Sequence, residues 1–326
     1  MNYPFYNVVN AEFEAVNKLI IDSLNSHVPL VEEISNYLID AGGKRLRPLL
    51  VLLAAKSLDY ELNEHIKLAA IIEFLHTAML LHDDVVDESL LRRGRKTVNA
   101  EWGNSASVLV GDFLHSRAFE MMVEIGDMRV MQILSFATNT IAEGEVQQLT
   151  NIRNPNITEK DYLEVINRKT AMLFEASSHA GAVLASSTNR NATPDQIQSL
   201  RDYGQHLGMA FQLIDDALDY EGSTEQLGKN VGDDLAEGKV TLPIIAAMRN
   251  CTESETQLLR SAIQNGGLEN LGEVMEIVTR TGGLDYTNEK AELEIQKALT
   301  SLENIPESTY KDAMISLANF SISRNT

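Results

Sequence analysis

Two short acidic stretches carry the residue types best suited to chemistry. The first, Leu81-His82-Asp83-Asp84-Val85-Val86-Asp87-Glu88, ends a long apolar run and sets Asp83 and Asp87 four residues apart. On a helix that spacing puts both carboxylates on one face. The pattern returns 132 residues later as Ile214-Asp215-Asp216-Ala217-Leu218-Asp219. Four carboxylates converging from Asp83, Asp87, Asp215 and Asp219 need cations. Paired hard oxygen ligands, with room left for water and substrate phosphates, suit Mg²⁺ better than zinc or a soft metal. A solvated helix end accounts for one such motif. It accounts poorly for two, because uncompensated carboxylates on helices that should be buried are costly.

The helices that must position these groups can be read from apolar spacing. Val31, Ile34, Leu38 and Ala41 follow helical periodicity, and Gly42-Gly43 stops them. Lys44-Arg45-Leu46-Arg47-Pro48 then opens a helix that is apolar all round, which implies burial on every side. Cations at a helix start oppose the dipole unless an anion binds there, so Lys44 and Arg47 with the free N–H groups form a candidate phosphate site. A solvated basic turn is the plainer reading. The P-loop spacing of glycines and Ser/Thr is missing.

A helix over about 64–87 carries the first acidic motif and, inside it, Glu73-Phe74-Leu75-His76. Di-iron carboxylate bundles need two Glu-x-x-His pairs. The sequence offers one, which leaves His76 as a core histidine or a phosphate donor. Leu91-Arg92-Arg93-Gly94-Arg95-Lys96 follows directly, and forked guanidinium groups at Arg92 and Arg93 suit phosphate oxygens. Asn104 or Ser105 is the expected cap of the next helix, and another spans about 130–149. Thr158-Glu159-Lys160-Asp161 resembles a capping box opening a helix through Lys169-Thr170 to about 186. Thr193-Pro194 starts the helix that ends in the second acidic motif, with Gln212 three residues before Asp215. A polar loop with Lys229, Asp233-Asp234 and Lys239 comes next, and residues 242–326 carry no readable motif.

No stretch alternates long enough to make a sheet, and no period of 20 to 50 residues marks a solenoid. The expectation is an all-α, single large helical bundle with a central cavity, residues 1–326 forming one domain. A net charge of −20 argues against a nucleic-acid partner. One cysteine, Cys251, forbids an internal disulfide and fits a reducing compartment, so a cytoplasmic location is expected. Residues 1–14 lack a signal-peptide pattern, and the longest apolar stretch, 68–81, holds Glu73 and His76, so no transmembrane segment is expected.

Gly42-Gly43-Lys44-Arg45-Leu46-Arg47-Pro48, the Asp83 motif with Arg92-Arg93, Lys169-Thr170 and Phe211-Gln212-Leu213-Ile214-Asp215-Asp216, in this order, resemble the trans-prenyl diphosphate synthases. The likeness covers nearly the whole chain, and 106–113 and 226–234 look most like the bacterial octaprenyl type. Val240 stands where relatives usually have proline, and Met79 where they carry a small hydroxyl residue.

The resemblance implies an isoprenoid-synthase bundle and a prenyltransferase that joins isopentenyl diphosphate head to tail to an allylic diphosphate such as farnesyl diphosphate, releasing pyrophosphate. It implies that Asp83, Asp87, Asp215 and Asp219 bind Mg²⁺, three ions with diphosphate present, and that Asp84 and Asp216 support them. Arg92, Lys169, Thr170, Gln212, Lys229 and Lys239 would surround the allylic diphosphate. Lys44, Arg47, His76 and Arg93 would hold isopentenyl diphosphate. A homodimer, peripheral membrane contact at product release and delivery to a ubiquinone-type side chain are further implications. Ala78 and Met79 would border the growing tail, with Phe119, Met121 and Met122 as its floor, giving a product near C40. C35, C45 and shorter geranylgeranyl products are the neighbouring alternatives, as is the catalytic subunit of a two-component synthase. A class I terpene cyclase has no use for the Lys44 and Arg47 site, and a non-catalytic subunit would have eroded one acidic motif.

Overall fold

The computed structural model describes residues 3–323 except 41, 93, 189–191, 222–231 and 267. In chain order the helices are α1 Pro4–Asn7, α2 Asn10–Ser23, α3 Pro29–Asp40, α4 Leu46–Ser57 and α5 Glu64–Val86. A two-residue hairpin, β1 Leu91–Arg92 against β2 Arg95–Lys96, follows. Then come α6 Val98–Trp102, α7 Asn104–Ile125, α8 Met128–Asn151, α9 Glu159–Ile166, α10 Met172–Ser186 and α11 Pro194–Glu221. The chain continues as α12 Asp233–Ala236, α13 Leu242–Ala247, α14 Glu253–Asn265, α15 Leu271–Arg280, α16 Gly283–Ser301 and α17 Thr309–Ser323. Among the described residues the hairpin is the only strand pairing, so the expected all-α class holds.

Packing divides the chain into two compact units. The first is Met1–Thr138, Leu173–Gly204 and Leu299–Leu317; the second is Asn139–Met172, Gln205–Ala298 and Ala318–Thr326. In the first, every residue of α4 from Leu49 to Ala55 has no exposed surface, as its all-round apolar pattern requires. Helix α5 packs along α7 and against α2 and α4, burying Leu68 through Ile72 completely. Each fully buried Leu or Ile contributes about 1.5–3 kcal/mol. Gly181 of α10 lies so close to α4 that a Cβ there would stand 2.7 Å from the Val51 carbonyl oxygen. In the second unit, Tyr162, Ile166, Leu213 and Ile214 share one apolar cluster with Leu242 and Ile245. Ala217 and Tyr220 join another with Leu259, Ile263 and Val274.

The Thr158 capping box forms as the sequence predicts, with Thr158 Oγ1 accepting from the Asp161 N–H. A second box, unpredicted, opens α14 at Thr252 and Glu255. Two expectations are corrected. Neither Asn104 nor Ser105 caps α7, because Gly103, at φ 86°, turns the chain outside the range other residues favour and Asn104 is already helical. The helix expected to run unbroken from Thr158 to about 186 widens into a π-turn over Asn167–Ala171.

Helix α10 also carries His179. Burial, with the Arg201 charge acting the same way and Asp202 opposing both, pulls its imidazole down to about 4. A histidine with a lowered folded pKa contributes stability that is full above its unfolded value of about 6.5 and is lost as pH falls toward 4. His179→Gln is therefore expected to flatten the fall in urea-unfolding free energy between pH 6.5 and 4, by less than about 3 kcal/mol because the ring keeps some solvent contact. An unchanged slope would mean that His179 is not titrating in this range.

Candidate active site

Asp83 and Asp87 lie on the last turn and C-cap of α5, both half-buried. The unsatisfied carbonyls at a helix C-terminus carry negative partial charge, so carboxylates there raise the demand for a cation. Asp84, between them, is buried. Arg92 reaches it from β1, Nη2 at 2.7 Å and Nε at 2.8 Å from one carboxylate oxygen. Burial pushes the Asp84 carboxyl up more than the Arg92 guanidinium pulls it down. Asn99 and the Ser89 N–H both donate to the Asp84 carbonyl, tying the hairpin to the helix end.

The Lys44 and Arg47 turn belongs to the same unit. Arg45 takes a left-handed conformation, φ 47°, as the N-cap of α4. Its guanidinium reaches Asn17 and lies 3.6 Å from Glu73. Arg47 stacks 4.3 Å from the Phe174 ring centroid and lies 3.2 Å from His76 Nε2. Arginine has no acceptor, so His76 accepts at that nitrogen. Glu73 and His76 thus face different arginines, which removes the basis for an iron-binding pair. The Tyr6 hydroxyl donates to the Lys44 carbonyl and fixes the turn from α1.

In the second unit, the π-turn presents Lys169 and Thr170. Such turns inside α-helices often mark functional sites. Lys169 Nζ donates to Glu145 at 2.6 Å and Gln148 at 2.8 Å, both on α8. This approach is possible because residue 144 is glycine: a Cβ would lie 2.8 Å from Arg168 Cβ and 3.1 Å from the Lys169 nitrogen. The Thr170 hydroxyl donates to Gln212 Oε1 at 2.8 Å, and Gln212 Nε2 donates to Asp216 at 2.6 Å. The other Asp216 oxygen accepts from Tyr162 at 2.6 Å. Burial above all, and the nearby Asp234 charge, push the Asp216 carboxyl well up despite both donors. These groups border a cleft that also holds Asp234 and Lys239.

Asp215 keeps part of its surface open. Asp219, expected as a metal ligand, is fully buried, and its carboxylate accepts from the Asp234 N–H at 3.3 Å. In this conformation it holds the start of α12 and offers no surface to an ion. Arg93 and Lys229 lie outside the described residues. Ala78 is fully buried, Met79 and Phe119 are half-buried, and Met121 and Met122 are buried.

A family profile described as "Polyprenyl synthetase" matches residues 28–280. The chain belongs to the polyprenyl synthetase family. It is 48% identical over its full length to the whole of octaprenyl diphosphate synthase of Escherichia coli K12. It is 50% identical to the Haemophilus influenzae octaprenyl diphosphate synthase, over 98% of this chain and 95% of that one. A Caulobacter crescentus polyprenyl synthase, crystallised with calcium and isoprenyl diphosphate, superposes with a TM-score of 0.94 at 44% identity, covering 99% of this chain and 98% of that one. This polyprenyl synthetase is a prenyltransferase, a long-chain trans-prenyl diphosphate synthase.

Sequence reasoning missed Gly144, Glu145, Gln148 and Tyr162. Glu145 and Gln148, three apart on one helix face, gave a usable signal; nothing in the sequence marked the contact that Gly144 permits. Gly144→Ala sets two effects against each other. Alanine gains about 1 kcal/mol of helix propensity, whereas forcing the Lys169 backbone aside costs about 1–3 kcal/mol. The expected outcome is a small loss of stability and a larger loss of turnover, since the displaced backbone carries Lys169. Calorimetry beside steady-state kinetics measures both, and wild-type kinetics would mean the contact does not position Lys169.

Proposed function

We propose that this synthase extends an allylic primer such as farnesyl diphosphate with isopentenyl diphosphate to a product near C40, for a quinone side chain. The observation that carries the two-substrate reading is Arg47 set against His76 beside the start of α4. This cationic pocket is additional to the Lys169, Thr170 and Gln212 group, and a one-diphosphate reaction would leave it unused.

The donor chemistry fits Mg²⁺: Asp83, Asp87 and Asp215 offer hard carboxylate oxygens with surface still open. We assign these three as ligands and Asp219 as support for the start of α12. Bound Mg²⁺ would neutralise the allylic diphosphate as it leaves. Lys169 and Lys239 orient that diphosphate, and Arg92 adds charge from the hairpin. Lys44, Arg47 and His76 hold isopentenyl diphosphate, whose double bond attacks the allylic carbon; the proton then lost goes to the released pyrophosphate. Closure of the segment around β1 and β2 would exclude water that otherwise traps the cation.

A homodimer is supported by the exposed apolar side chains of Leu109 and Val123 on α7 and Phe136 on α8, each more than half exposed. Among the described residues no helix is long and apolar enough to cross a membrane. A cytoplasmic enzyme touching the membrane only at product release fits that observation.

Arg47→Ala is expected to raise KM for isopentenyl diphosphate about tenfold or more with little change for the allylic primer, and Lys169→Ala to do the reverse. Equal losses for both substrates in both variants would break the partition.

Product length supplies the direct test. Ala78 and Met79 precede Asp83 by five and four residues, so the tail would run along α5 away from the carboxylates. One isoprene unit spans roughly one helical turn, about 5.4 Å. Incubating the enzyme with farnesyl diphosphate, isopentenyl diphosphate and Mg²⁺ is expected to give about C40. Ala78→Phe, filling the path near its mouth, should stop growth at about C15 to C20 on the same one-turn estimate. Thin-layer analysis of the dephosphorylated products decides it, and an unchanged length would move the tail off this helix.

A further inference from the structure

The hydrogen bonds around Asp216 form one unbroken series. Thr170 donates to Gln212 at 2.8 Å, Gln212 to Asp216 at 2.6 Å, and the Tyr162 hydroxyl to the second Asp216 oxygen at 2.6 Å. Tyr162 comes from α9, ahead of the π-turn, and is itself buried. Its backbone N–H bonds to the Thr158 carbonyl at 3.0 Å, inside the capped first turn, so the phenol is anchored at both ends. Gln212 and Asp216 are one helical turn apart on α11, and Asp215 is the neighbour of Asp216.

The series therefore links the π-turn beside Lys169 to the helix turn that carries Asp215 and, through Tyr162, to α9. A buried carboxylate with two directional donors has one side-chain orientation, and that orientation fixes the Gln212 amide, whose oxygen is the acceptor for Thr170.

We propose that Tyr162 is a positioning residue for the allylic diphosphate: through Asp216 and Gln212 it holds Thr170 and the second acidic motif in one mutual arrangement. The proposal rests on the functional reading above and deepens it, because it makes a residue outside every motif part of the allylic site's specificity. Tyr162 acts through Asp216, the group its hydroxyl engages. Without its hydroxyl, Asp216 is free to rotate, the Gln212 amide loses its fixed orientation, and Thr170 loses its acceptor.

The test is Tyr162→Phe, which removes one oxygen and leaves the ring, compared with Thr170→Val and the double variant. The expected result is a rise of about tenfold in KM for farnesyl diphosphate with KM for isopentenyl diphosphate unchanged, the loss expected for one hydrogen bond to a charged group. A second readout needs no turnover. The rise in melting temperature caused by Mg²⁺ with inorganic pyrophosphate should be smaller in Tyr162→Phe than in wild type. The double variant should lose little more than either single one, because both cut the same series. A lowered melting temperature with unchanged KM values and an unchanged pyrophosphate shift would make Tyr162 a structural residue only. Fully additive losses would also overturn the proposal. Wild-type product formation is measured alongside, so failure of the synthase reading is distinguished from failure of the series.

Discussion

Charged carboxylates have to be held at the edge of an apolar interior, and the structure of both acidic motifs follows from that constraint. Each motif places an aspartate in the middle that is almost fully buried: Asp84 at 4% exposure and Asp216 at 2%. An uncompensated carboxylate there would shed its charge or unfold its helix end. The first motif answers with a guanidinium, Arg92, and the second with two neutral donors, Tyr162 and Gln212. The difference has consequences. An arginine on a hairpin takes its position from that hairpin, so Asp84 is tied to β1. A phenol from a capped helix cannot move without disturbing the core cluster around Ile166 and Leu213, so Asp216 is held rigidly. The half-exposed neighbours Asp83, Asp87 and Asp215 keep surface open to the cations proposed for them, and each lies beside an aspartate that is buried.

Much of this was legible in the sequence because helical periodicity and paired carboxylates are local signals. The apolar run through α4 predicted its complete burial, and the four-residue spacing of Asp83 and Asp87 predicted one helix end. The Thr158 box was readable for the same reason. What escaped was non-local or depended on backbone choices that composition does not reveal. A π-turn and a continuous α-helix share the same apolar pattern, so Asn167–Ala171 looked like ordinary helix. The left-handed conformation of Arg45 is uncommon for a residue with a Cβ, and it is held by Asn17 and Glu73, which are distant in sequence. Tyr162 gave no sign of its role, since a buried tyrosine on an amphipathic helix normally reads as core. Asp219 differs from its counterpart: its spacing from Asp215 copies that of Asp87 from Asp83, while its surroundings do not. Burial and a backbone N–H claim its carboxylate.

Helix α5 unites two demands that conflict. Its last turn must be polar enough to hold Asp83 and Asp87, yet in the reading proposed above the turn before it borders an apolar tail. Ala78, small and fully buried, fits that proposed demand. Met79 is unbranched and polarizable, so it can adapt to a tail of changing length where a β-branched or aromatic side chain would not. On this argument Met79 lowers the penalty for each added isoprene unit near the mouth and leaves the stopping point to residues farther along. Met121 and Met122 of α7 are buried, and Phe119 stacks on His115 with ring centroids 5.1 Å apart. If these residues form the proposed floor, two flexible thioethers and one ring braced by a histidine yield gradually and do not stop growth at one sharply fixed length.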